Sequence, residues 1–289
     1  MTQTNFELVT TSQGALSILD GRVGEIMHNP LGPWLEIQEL YIKPSQLAQR
    51  LQAPSEEKEL VLYDVGLGAG SNAMAAILLA LTAHKETKDL RGLRILSFEQ
   101  DLSLAQFTLR HRDSFPEFAG AWQAFQELFA QGSWKHPEIP IQWELHHGDF
   151  TQALNSALPI ADLIFYDPYS PKKNQEMWTY ETFHKLRKKC HPSQGPETLL
   201  LTYSRATSVR AALLLAGFFV GKGRPIGLKE ETTLASTLPE ALDSPLQQRW
   251  LERWRRSHQA LPTDLAQDDE NDITQWSQQL EGHPQFASS

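Results

Sequence analysis

"LVLYDVGLGAGSNAMAAILLALTAHK", residues 60–85, decides the fold. Its first six residues are a short apolar run of the kind buried on both faces of a parallel sheet. Glycines 66, 68 and 70 follow, and apolar residues then recur at helical spacing from Ser71. A strand, a glycine turn and a helix form the opening unit of a doubly wound sheet, in which a ligand can come close to the turn backbone.

The same rhythm continues downstream. "LRILSFE" (93–99), "IQWELHHGD" (141–149), "ADLIFYD" (161–167) and "ETLLLTYS" (197–204) read as strands separated by helical stretches, with a helical insertion around "FAGAWQAFQELFAQ". "FFVGKG" (218–223) and "TTLAST" (232–237) close the series through a short loop containing glycine and proline. Alternating strands and helices give an open α/β sheet with right-handed crossovers. Seven strands, the last antiparallel, are expected of the Rossmann-like class I S-adenosylmethionine methyltransferase arrangement. Upstream, "FELVTT", "ALSILDG" and "WLEIQELYI" read as strands and a hairpin. The expected domains are a β-rich lid over 1–57, the methyltransferase domain over 58–238, and a C-terminal segment over 239–289. In that last segment Leu246, Trp250, Leu251 and Trp254 share one face of a helix and dock on the core, and an acidic, disordered tail follows. A helix contacting RNA through its tryptophans is the other reading.

The composition is that of a globular protein, and no apolar run approaches the ~20 residues of a membrane span. The N-terminus lacks the basic start and apolar core of a secretory signal. Cys190 is the only cysteine, so no internal disulfide can form, and a cytoplasmic location is expected. Net charge is −9, a poor match to nucleic acid, yet residues 171–230 hold eleven Lys/Arg against four Glu. The acidic counterweight is the segment 263–289, with six Asp/Glu and no Lys or Arg. A solvated face is one reading of the basic stretch, and a polyanionic partner is the other.

Ligands in such sheets bind beyond the carboxyl ends of the strands, so the strand tips carry the function. At the first tip, Gly66, Gly68, Gly70 and Asn72 form a G-x-G-x-G loop suited to S-adenosylmethionine, whereas the dinucleotide fingerprint requires G-x-G-x-x-G/A; a turn needed only for strand–helix packing is the alternative. At the second, Glu99 can accept hydrogen bonds from both ribose hydroxyls or serve as a neighbour of a helix N-cap. At the third, Gly148 and Asp149 meet the adenine amino group, or Asp149 caps the next helix. His146 and His147 point to opposite faces and form no metal pair, and no metal site is expected.

The fourth tip is "IFYDPYSPKKNQEMW", residues 164–178. Pro168 stiffens the turn and holds Asp167 and Tyr169 at a set angle. A carboxylate there can orient an amine's lone pair toward a methyl donor and stabilise the cation that develops. Tyr169 offers an aromatic face to a planar base or to that cation. Taken alone, Asp167 could equally end its strand in a local turn.

"VGLGAGSN", "SFEQDLSLAQ", "LHHGD", "YDPYSPKKNQEMWTYETFHKL" and "GFFVGKG" together resemble the methyltransferase portion of the bifunctional tRNA 5-methylaminomethyl-2-thiouridine biosynthesis proteins, over about Leu60 to Thr237. The aspartate–proline segment is the most specific part, with Tyr169 where phenylalanine is usual. The resemblance implies S-adenosylmethionine-dependent methylation of the 5-aminomethyl group on wobble uridine (position 34) of tRNA, with Asp167 against the amine and Gly66, Gly68, Gly70 and Glu99 on the donor. Lys172, Lys173, Trp178 and Arg205 are the expected tRNA contacts. The FAD-dependent oxidase half of the family is not evident, which implies a stand-alone methyltransferase and a separate enzyme supplying the aminomethyl group. An aminopropyltransferase or small-amine methyltransferase on the same scaffold, and a non-catalytic RNA-binding module, are the competing readings.

Overall fold

The computed structural model describes residues 5–27, 30–53, 55, 57–87, 89–225, 231–257, 261–266 and 270–287, the first three of the last range as backbone only. Strands β1 (Phe6–Thr10), β2 (Leu16–Asp20) and β3 (Glu25–Ile26) form a small antiparallel sheet. A helical path follows: α1 (Pro33–Ile37), a π-helical stretch over Gln38–Ile42, α2 (Lys43–Ser45) and α3 (Leu47–Gln52).

The expectation of a strand at "WLEIQELYI" is therefore corrected to helix. Gly32 at φ 88° and Pro33 at the first helical position start it. Ile37, Leu40 and Tyr41 then fall at i, i+3, i+4 on a buried face. The run satisfies a helical period better than the alternation it resembles.

The main sheet begins with β4 (Glu59–Val65), followed by α4 (Ser71–Glu86), β5 (Gly92–Glu99) and α5 (Ser103–Arg110). Next come α6 (Trp122–Gln131), β6 (Ser133–Lys135), β7 (Ile141–His147), α7 (Phe150–Ala153) and β8 (Leu163–Tyr166). The chain continues through α8 (Tyr180–Arg187), β9 (Leu199–Thr202), α9 (Thr207–Leu215), β10 (Phe219–Gly223) and β11 (Thr232–Ser236). It closes with α10 (Gln248–Arg255) and α11 (Glu270–Glu281). Residues 226–230 of the β10–β11 connection lie outside the described residues.

The strand order is β10-β11-β9-β8-β4-β5-β7-β6. β11 runs antiparallel to both of its neighbours, as expected for the last strand of this class. The sheet has eight strands instead of seven because "SWK" adds a short antiparallel edge, β6, beside β7. Leu60 and Leu62 of β4 pack into one core, while Val61, Tyr63 and Val65 pack into the other. Burial on both faces explains the unbroken apolar run. The order reverses at β4, which pairs with β5 on one side and β8 on the other and so places the glycine turn at the crevice.

The C-terminal helix docks as expected: Leu246, Trp250, Leu251 and Trp254 are buried, so its tryptophans are not available to stack on RNA. The expected disordered tail is corrected over residues 270–287. Leu280 and Phe286 are buried, Phe286 stacks on Trp250, and the Gln285 side chain pairs with the Val220 backbone through both its oxygen and its nitrogen. That pairing covers the exposed edge of β10. The acidic residue Asp264 accepts from the Tyr180 and Glu181 N–H groups at the start of α8, where a negative charge is favoured. Among the described residues no helix is long and apolar enough to cross a membrane.

Candidate active site

A cavity of about 480 Å³ opens at the carboxyl ends of β4, β5, β7 and β8, roofed by the N-terminal segment. Gly66, Gly68, Asn72, Glu99, Gly148, Asp149, Asp167 and Tyr169 all line it. The four strand tips do converge.

The glycines divide in function. Gly66, at φ 88°, allows the β8 turn to cross it: a Cβ there would lie 2.8 Å from the Asp167 carbonyl oxygen. Gly70 does not line the cavity; it starts α4 at φ 80°, and a Cβ would lie 2.6 Å from the Phe125 ring. Gly68, at φ 52°, is the open one: a Cβ there makes only ordinary contacts, with Leu104 Cδ2 at 3.7 Å and Gly66 O at 3.9 Å. A Cβ at Gly148 would meet nothing within 4 Å. The loop thus presents bare backbone to the cavity at Gly68, while Gly66 and Gly70 serve packing.

Glu99 stands at the end of β5, where burial raises its pKa. Three N–H groups oppose that: Gly68 donates to Oε2 at 3.0 Å, and Gln100 and Asp101 donate to Oε1 at 2.8 and 2.9 Å. A carboxylate has about four acceptor positions, so roughly one remains for a ligand hydroxyl. Asp149 caps α7 by accepting from the Thr151 N–H at 2.7 Å, and it also faces the cavity. His146 stacks on Phe98 while His147 is exposed, in line with their opposite orientations.

The Asp167 turn is held from three sides. The Asp167 N–H donates to Val65 O, Tyr203 Oη–H donates to Pro168 O at 2.9 Å, and Trp178 Nε1–H donates to Tyr169 O at 2.9 Å. Asn72, one turn into α4, donates from Nδ2 to Asp167 Oδ2 at 2.9 Å. Trp178 is 4% exposed and packed among Tyr166, Phe183 and Tyr203, so it cannot touch tRNA; its expected role is corrected to bracing this turn. Lys172, Lys173 and Arg205 are exposed beyond the ends of β8 and β9 and do not line the cavity.

Tyr169 lines the cavity, and its hydroxyl donates to Asp20 Oδ2 at 2.7 Å, tying the turn to the small sheet. Asp20 is buried, which alone would raise its pKa, but the bonds from Arg22 and Tyr169 hold it below the usual range. Arg22 also pairs with Asp101, and Ser170 donates to Glu25 at 3.1 Å. The roof is thereby fixed to two strand tips.

Seven carboxylates line the cavity (Glu25, Glu36, Glu99, Asp101, Asp149, Asp167 and Glu176) against a single cationic side chain, Arg22. Such a field favours a cationic ligand. Behind the cavity, Asp64 is fully buried; burial and the charges of Asp167 and Glu99 push its pKa to about 7, although Ser97 donates to it. Sequence reading missed Glu25, Glu36, Tyr41 and Tyr203. Tyr203 follows β9 in "LLLTYS", and Tyr41 would have surfaced had "WLEIQELYI" been read at a helical period.

Among the described residues, Glu57, Asp162 and His191 have metal-capable spacing. They lie at the amino end of β8, where Asp162 faces His191 at 3.2 Å and the Arg91 guanidinium at 3.6 Å.

The fold is the Rossmann-like one of class I S-adenosylmethionine methyltransferases, and a family profile described as S-adenosyl-L-methionine-dependent methyltransferase matches residues 116–238. Within the class, the chain is similar to the tRNA 5-methylaminomethyl-2-thiouridine biosynthesis bifunctional protein MnmC of Pseudomonas putida, 28% identical over 75% of this chain and 33% of that protein. The corresponding protein of Leptospira interrogans is 25% identical over 84% of this chain and 37% of its own length. The chain therefore spans about a third of the length of these curated relatives. The crystal structure of MNMC2 from Aquifex aeolicus has the same fold, with a TM-score of 0.67 and 22% identity over 97% of this chain and 85% of that one.

The cavity fits the methyl donor of this class. Gly68 and Gly148 leave room for a ligand against the backbone, Glu99 keeps an acceptor position, and the carboxylate field suits a sulfonium.

Proposed function

We propose that this protein transfers a methyl group to a primary amine, the 5-aminomethyl group of uridine 34 in tRNA, giving 5-methylaminomethyl(-2-thio)uridine. The observation that carries the reading is Asp167: a carboxylate at the cavity wall, on a stiff Asp-Pro turn, oriented by Asn72. The donor supplies an electrophilic methyl on sulfur. The chain's own work is positional. Asp167 accepts an N–H of the amine, aims its lone pair and stabilises the ammonium that forms. The other carboxylates of the cavity hold the field negative as that charge develops. Tyr169 braces the turn through Asp20 and faces the same space.

Lys172, Lys173 and Arg205 stand outside the acidic cavity, at the same end of the sheet. In this reading they meet the tRNA backbone while the aminomethyl group enters between the carboxylates. The similarity to tRNA 5-methylaminomethyl-2-thiouridine biosynthesis proteins supports tRNA as the acceptor. A separate enzyme supplying the aminomethyl group belongs to the same proposal.

Incubation with radiolabelled S-adenosylmethionine and tRNA carrying 5-aminomethyluridine tests it. Label should enter the tRNA with the native protein and not with Asp167→Ala. Label entering putrescine or another small amine but not tRNA would replace this function with a small-amine transferase.

A further inference from the structure

Tyr41 is the cavity residue that the fold alone does not explain. It is 1% exposed, and its ring packs 5.0 Å from Phe165. Its hydroxyl is buried at the cavity wall within reach of the Asp167 carboxylate, although the two do not meet at good hydrogen-bond geometry. Burial, and then the charge of Asp167, hold the phenol neutral. A buried hydroxyl oxygen that accepts no hydrogen bond calls for an explanation, and a ligand in the cavity supplies one.

We propose that Tyr41 is an acceptor-binding residue: its oxygen receives one N–H of the acceptor amine while Asp167 receives the other. The inference rests on the amine-methyltransferase reading given above. A neutral primary amine has two N–H bonds and one lone pair, so holding both N–H bonds fixes the direction of the lone pair. In the transfer the N–C bond forms as the C–S bond breaks, and the electron pair leaves on sulfur. The product is a secondary ammonium whose two N–H bonds meet the same two acceptors. A second transfer would require that product to lose a proton, leaving one N–H for two buried acceptors. A single N–H contact no longer fixes the direction of the lone pair, so the Tyr41–Asp167 pair also favours transfer of one methyl only.

Tyr41→Phe keeps the ring and its contact with Phe165. Four readouts test the inference: thermal melting, calorimetric affinity for S-adenosylhomocysteine, kcat on tRNA carrying 5-aminomethyluridine, and the nucleoside products. The variant should melt at or above the native temperature and bind S-adenosylhomocysteine as tightly. Its kcat should fall roughly 10- to 100-fold through lost alignment, and a dimethylated nucleoside should appear. Unchanged kcat with a single-methyl product would overturn the inference. So would weakened S-adenosylhomocysteine binding, which places the hydroxyl on the donor, or a lowered melting temperature, which gives it a structural partner. If the native protein transfers no methyl to this tRNA, the amine reading fails first and takes the inference with it.

Discussion

The three glycines of the first loop should respond differently to the same substitution, although sequence motifs treat them as one unit. Alanine at any of them places a side chain at positive φ, which costs roughly 1–2 kcal/mol. At Gly66 the added methyl also meets the Asp167 carbonyl oxygen at 2.8 Å and the Pro168 nitrogen at 3.0 Å, both backbone atoms of a turn clamped on three sides. At Gly70 it meets the Phe125 ring at 2.6 Å, and that ring is fully buried and stacked on Trp143. Overpacking of this kind adds about 1–3 kcal/mol. Gly66→Ala and Gly70→Ala should therefore lose about 2–5 kcal/mol, which for a chain of this size lowers Tm by roughly 5–15 °C. Gly68→Ala makes only ordinary contacts, with Leu104 at 3.7 Å and Gly66 O at 3.9 Å, and should lose about 1–2 kcal/mol of stability. Its methyl enters the space the donor needs, and affinity should fall at least about tenfold, or ~1.4 kcal/mol. Thermal melting and titration calorimetry with S-adenosylhomocysteine separate the two effects. Native-like affinity in Gly68→Ala, or native-like melting in Gly66→Ala and Gly70→Ala, would refute the division.

Asp167→Asn should lower kcat by about 10²-fold or more, as loss of an electrostatic partner in the transition state does, with S-adenosylhomocysteine affinity within a few-fold of native by calorimetry. Lys172→Glu with Lys173→Glu should weaken tRNA binding and flatten its dependence on salt in filter binding, because fewer counterions are released; an unchanged slope would remove these lysines from the interface. Asp64 holds its proton in the folded state up to about pH 7. Between its unfolded pKa near 4 and that value the folded state binds the extra proton, so its contribution to stability is full in acid and is lost as pH rises through 7. Asp64→Asn is neutral throughout, and its Tm relative to native should be higher at pH 8 than at pH 5; parallel melting curves across pH would contradict this.

The parallel sheet was legible because burial on both faces leaves unbroken apolar runs such as "LVLYDV", bounded by glycine turns. The wall of the cavity was legible where a strand tip forces a residue type, as at Gly66, Glu99 and Asp167. Trp178 was misread because an aromatic a few residues after Lys172 and Lys173 resembles an RNA contact, whereas its indole braces the Asp167 turn from within the core. Tyr41 was missed because a mixed apolar–polar run fits two periods, and only tertiary packing on α4 selects the helical one. The segment 270–287 was misread for another reason. Its acidity signals disorder, but its order rests on a few anchors (Leu280, Gln285 and Phe286) too sparse to form a sequence pattern.

A crystal structure of this protein with bound S-adenosylhomocysteine would test the account most directly. The sulfur should lie beside the Asp167 carboxylate, with the adenosyl group reaching along Gly68 toward Glu99 and the space beyond the sulfur walled by Tyr41 and Tyr203. Density for the ligand outside this cavity, or a sulfur directed away from Asp167, would contradict it.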